Sequence, residues 1–97
     1  MYIFRLSGEY IGFIKNNVFY STNGSYLGWV EDGHVWDKNG QYRGKLTILK
    51  GNNYITKDSF LVDPSPRPSR AGESIEQEQP QLNIDPADSE FNFKDGF

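Results

Sequence analysis

Apolar and polar side chains alternate in short runs up to residue 62, and no window holds apolar residues at helical spacing. Ile3-Phe4, Ile11 with Phe13, Val18-Phe19-Tyr20, Val30 and Val35-Trp36 are strand formers, and the runs are separated by glycine and asparagine. Asn23-Gly24 and Asn39-Gly40 are strong hairpin signals, because both central residues of a type I′ turn take positive φ. Ser7-Gly8 is a weaker version of the same signal. Further bends are predicted at Lys15-Asn16-Asn17, Glu31-Asp32-Gly33 and around Gly51-Asn52-Asn53. The expected fold is all-β, a meander of short antiparallel hairpins.

The hairpins repeat. Gly8-Glu9-Tyr10-Ile11-Gly12-Phe13-Ile14 returns sixteen residues later as Gly24-Ser25-Tyr26-Leu27-Gly28-Trp29-Val30, and again as Gly40-Gln41-Tyr42-Arg43-Gly44-Lys45-Leu46. Ile3-Phe4, Phe19-Tyr20 and Val35-Trp36 keep the same register, and Ile55-Thr56 reads as a fourth copy of that half, off the spacing. Strict alternation puts Tyr10, Gly12 and Ile14 on one face and Ile11 and Phe13 on the other. The tyrosine face, common to all three copies, is the expected core. Each mid-strand glycine (Gly12, Gly28, Gly44) weakens its strand by about 0.5–1 kcal/mol relative to alanine. The repeated cost calls for a close approach by a neighbouring backbone or ring.

This pattern, Asn-Gly-x-Tyr-x-Gly followed by Val-Phe-Tyr or Val-Trp-Asp, resembles the bacterial four-fold beta flower family over residues 2–62. The resemblance implies short hairpins in pseudo-four-fold arrangement ahead of a proline-rich tail. It carries no catalytic motif to transfer.

Composition divides the 97 residues into two unlike parts. All five prolines lie beyond residue 62 and twelve of the fifteen aromatics lie before it. Residues 1–62 have a net charge of +2 and residues 63–97 of −5. The expected domains are therefore a β-hairpin head, 1–62, and a proline-rich acidic tail, 63–97, which is disordered when free because it cannot bury a core of its own. Absence of cysteine excludes disulfides and thiolate metal sites. With no signal-like or membrane-length apolar run, the expected location is cytoplasmic.

Candidate chemistry is sparse. His34 occupies an ordinary repeat position without an evident nucleophile or carboxylate partner, and Glu31, Asp32, His34 and Asp37 fall on different faces of a strand-turn-strand. No catalytic residue, metal ligand or cofactor is assigned. Arg43, Lys45, Lys50 and Lys57 beside Tyr42 and Tyr54 make a modest basic strip, too thin in an acidic chain for nucleic acid to be an expected partner. Phe13 and Trp29, with Ile11 and Leu27, form a second apolar face that either packs internally or meets a partner or another copy of the chain. In the tail, Pro64-Ser65-Pro66-Arg67-Pro68-Ser69-Arg70 suits an extended, polyproline-like segment. Phe91, Phe93 and Phe97 read as anchors for a partner's groove, or as an end that folds back on its own sheet.

The expected function is a non-enzymatic protein-interaction module. The alternative is a small-molecule, nucleotide-like binder at a hub where Tyr10, Tyr26 and Tyr42 meet Gly12, Gly28 and Gly44, or an inhibitor in phage or host defence.

Overall fold

The computed structural model describes residues 1–58, 60–87 and 93–97. The strands are β1 (Tyr2–Phe4), β2 (Tyr10–Lys15), β3 (Val18–Ser21), β4 (Tyr26–Glu31), β5 (His34–Asp37), β6 (Tyr42–Leu49), β7 (Asn52–Asp58) and β8 (Phe93–Asp95). Consecutive strands pair antiparallel in chain order, and β1 also pairs parallel with β7, which closes seven strands into a barrel. One edge of β7 carries both β1, opposite Asn53 and Tyr54, and β8, opposite Thr56 to Asp58. The sheet therefore draws on both parts of the chain. The outcome is a disc of 36 × 34 × 16 Å.

The bends fall where expected, but the turn types are exchanged. Positive φ at both central residues occurs at Asn16-Asn17, Asp32-Gly33 and Lys50-Gly51, which join the strands within hairpins. The Asn-Gly sites connect successive hairpins through three-residue loops instead. At Ser21–Ser25 the Gly24 N–H donates to Ser21 O and the Ser21 N–H to Ser25 O. A loop of this length needs the left-handed region only at its last residue, and Gly24 supplies it with φ +87°. Arg5–Glu9 and Asp37–Gln41 repeat the same two bonds.

The expected faces also need correction. At the Ile3/Phe4, Phe19/Tyr20 and Val35/Trp36 steps the register shifts by one, leaving Ile11, Leu27 and Arg43 as extra residues in three equivalent bulges. Each bulge breaks the alternation. Tyr10 thereby shares a face with Phe13, and Ile11 shares the hub face with Ile14. The hub consists of Ile3, Phe19, Val35 and Ile55 at equivalent positions, together with Ile14 and Val30. Ile11, Leu27, Leu46 and Phe97 pack around it. The tyrosines are not part of it.

The mid-strand glycines do permit a close approach. A Cβ on Gly12 would sit 2.0 Å from Tyr20 O, and one on Gly28 would sit 2.1 Å from Trp36 O.

Residues 63–87 form no helix or strand, in keeping with a segment that has no core of its own. They lie against the head as an extended strap. Arg67, Ile75 and Ile84 donate backbone N–H bonds to the carbonyls of Gly40, Gly24 and Gly8, so the strap visits the turns in reverse chain order. It brings β8 to the remaining gap beside β1. There Gly96 donates to Ile55 O and occupies the place that Gly12, Gly28 and Gly44 hold opposite Ile3, Phe19 and Val35.

Candidate functional site

The β4–β5 hairpin places Trp29 opposite Trp36, with near-parallel rings 6.4 Å apart. At the end of β4, Glu31 accepts a hydrogen bond from Trp29 Nε1 at 3.2 Å and projects its carboxylate beside the ring pair. Two arginines of the strap lie over this platform. The Arg67 guanidinium is 4.7 Å from the Trp36 ring centre and 3.4 Å from Glu31 Oε2; that of Arg70 is 4.3 Å from the Trp29 ring and 2.8 Å from Glu31 Oε1. One carboxylate thus bridges two cations, each covering an indole. Both arginine side chains remain about half exposed, which keeps the ionic part of the contact modest.

Backbone contacts fix the strap's register. Trp36 Nε1 donates to Ser65 O at 3.3 Å, the Tyr26 hydroxyl donates to Arg70 O at 2.8 Å, and the Tyr26 N–H donates to Ser74 Oγ at 3.1 Å. Arg70 N–H donates to Lys38 O at 3.1 Å. Gly72 lies so close to the Tyr26 ring that a Cβ there would come within 2.7 Å of it. Burial raises the Tyr26 phenol above its ordinary value, while the positive charge of Arg70 pulls the other way.

Of the residues singled out from the sequence, Trp29 belongs to this platform and is 2% exposed. Phe13 is 1% exposed, stacked on Tyr20 at 5.3 Å, and so is not available at the surface to a partner. Phe97 folds back on its own sheet, edge-on to Phe19 at 4.8 Å and beneath the Arg43 guanidinium at 4.0 Å. Phe93 lines a separate cleft at β6–β7, and Phe91 lies outside the described residues.

The three repeat tyrosines are not brought together at a hub with Gly12, Gly28 and Gly44. Tyr10 packs on Tyr2 and Phe4, and Tyr42 on His34 and Trp36. Burial raises the phenols of Tyr10 and Tyr42 as well, helped by Tyr2 and Glu78 in the first case and by Asp63 in the second. Glu31, His34 and Asp37 have separate partners: His34 Nδ1 is 2.7 Å from the Tyr42 hydroxyl, and Asp37 accepts the N–H groups of Asn39 and Gln41.

Sequence reading missed both arginines as ring partners. The available signal was a Pro-Arg-Pro-Ser-Arg segment in a chain whose two tryptophans stand one hairpin turn apart.

A family model described as 4-fold beta flower protein matches residues 1–92, so the match runs through the strap as well as the head. No curated protein and no solved structure matches the chain. No helix among the described residues is long and apolar enough to cross a membrane.

Proposed function

Since the chain belongs to the 4-fold beta flower family, we propose that it is a non-enzymatic interaction module whose head reads extended proline- and arginine-bearing protein segments. The cysteine-free composition suits the reducing cytoplasm as its place of action. The supporting observation is the Trp29–Trp36–Glu31 platform holding Arg67 and Arg70. Indole faces, a carboxylate and donors to peptide carbonyls are what recognition of an extended, proline-containing peptide calls for. The strap is the internal ligand, and a partner segment of the same chemistry competes with it. A second copy of the chain carries such a segment too, so self-association by exchanged straps falls within the same reading.

The test uses the full chain with Arg67→Ala and Arg70→Ala, which removes the internal guanidinium groups and leaves the platform intact. A fluorescent peptide of residues 63–76 should bind this variant about tenfold more tightly than the native chain, and adding Glu31→Gln should weaken it again. A peptide that binds neither protein, or binds both equally, overturns the proposal.

A further inference from the structure

Each hairpin lays one row of side chains across its strands, and the third row differs from its siblings. The rows are Tyr2–Phe13–Tyr20, Val18–Trp29–Trp36 and His34–Lys45–Thr56. Where the first two place aromatic pairs, the third places a lysine and a threonine. The space that a ring pair fills elsewhere is here part of a cleft of about 550 Å³, within the range of small-ligand sites.

The polar groups in the cleft fall into two sets. Lys57 Nζ is 2.8 Å from Asp63, and Asp58 accepts the Phe60 N–H at 2.9 Å, so both acids are engaged. Thr47 and Thr56 share a hydrogen bond of 2.7 Å between their hydroxyls. Lys45 is exposed, and among the described residues no carboxylate pairs with its ammonium. The cleft is also lined by Leu46, Ile48, Leu61 and Val62, the last three 72%, 70% and 96% exposed. One uncommitted cation thus shares a cleft with exposed aliphatic side chains.

The geometry points to a binding site for an amphipathic monocarboxylic acid, its carboxylate on Lys45 near the threonine hydroxyls and its apolar body over Leu61 and Val62. A single cation with one hydroxyl proton beside it matches one negative charge better than a phosphate dianion, and the aliphatic wall accounts for the rest of the ligand. The site is on a different hairpin from the Trp29–Trp36 platform and stands or falls independently of it.

The probes are decanoate and decylamine, which share an alkyl chain and differ in the sign of the head group. Amide NMR shifts of the full chain should report decanoate binding at Lys45, Thr47, Thr56 and Lys57, with decylamine silent. Lys45→Ala, at an exposed position, should keep the fold and weaken decanoate about tenfold. Lys45→Phe with Thr56→Tyr, which installs the row found at Phe13 and Tyr20, should abolish binding without lowering the melting temperature. If that double variant fails to fold, the single one decides. Equal binding of both amphiphiles, unchanged affinity in Lys45→Ala, shifts centred elsewhere, or no binding of decanoate at millimolar concentration would each overturn the proposal.

Discussion

Gly24 and Gly33 have nearly the same backbone conformation, φ +87° and +78°, but quite different surroundings. A Cβ on Gly33 would meet nothing within 4 Å, whereas one on Gly24 would sit 1.9 Å from Ile75 O on the strap. Gly33→Ala should therefore cost about 1–2 kcal/mol from the left-handed backbone alone. Gly24→Ala should cost more, because it also displaces the strap, and it should raise protease cleavage around residues 70–80. Urea denaturation of the two variants, read with limited proteolysis, measures the difference. Equal stability losses and identical cleavage would show that the strap does not press on this turn. Gly8, Gly24 and Gly40 thus serve two ends: they reverse the chain and leave their carbonyl open to the backbone of the strap.

At the level of elements, the fourth sector of the disc is assembled from distant parts of the chain, β1 and the segment leading to Phe97. Phe97 packs on the hub although it is only half buried. Phe97→Ala is expected to destabilise the protein by about 2 kcal/mol, below the usual range for a fully buried phenylalanine. Val62→Ala, at a residue 96% exposed, should stay within about 0.5 kcal/mol of native. Thermal melts that place the two variants together would remove β8 and Phe97 from the structural account.

The hairpins and their spacing were legible in the sequence because turn chemistry and alternation are local, and Ile55-Thr56 could be read as an off-spacing fourth copy of Ile3-Phe4, although the hub was expected at the tyrosines. The faces were not. A one-residue bulge at Ile11, Leu27 and Arg43 reverses the pointing of every side chain before it, and nothing in a β-rich run marks such an insertion. Gly96-Phe97 matches Gly12-Phe13 in type, but eighty-four positions separate them, so no fixed repeat spacing linked the two. Of the candidate site, Trp29 was singled out from the sequence. Arg67 and Arg70 were visible only as members of an extended segment, since their partners are set by tertiary contact.

Across the whole molecule, order in residues 63–87 comes from the head rather than from any helix or strand. The amides of Arg67, Arg70, Ile75, Ile84 and Ala87 donate to head carbonyls, the last to Leu6 O. Hydrogen exchange should find these five slower than the amides next to Ile75 and Ile84, a pattern of isolated protected sites rather than a protected block. Uniformly fast exchange across 63–87 would mean that the strap does not stay seated in solution. The contrast in charge between head and tail does not organise this contact. Its arginines meet Glu31 of the head, and Glu78 meets Lys15 at 3.7 Å, so each partner supplies both signs.

The reverse order in which the strap meets the turns has a mechanical consequence. Because it runs back past Gly40, Gly24 and Gly8 before ending at β8, tension on residue 97 loads the last-seated contact first. The thread then unwinds stepwise, leaving Gly8, Gly24 and Gly40 in turn, and the first to third hairpins can be bared one at a time while the remainder stay wrapped.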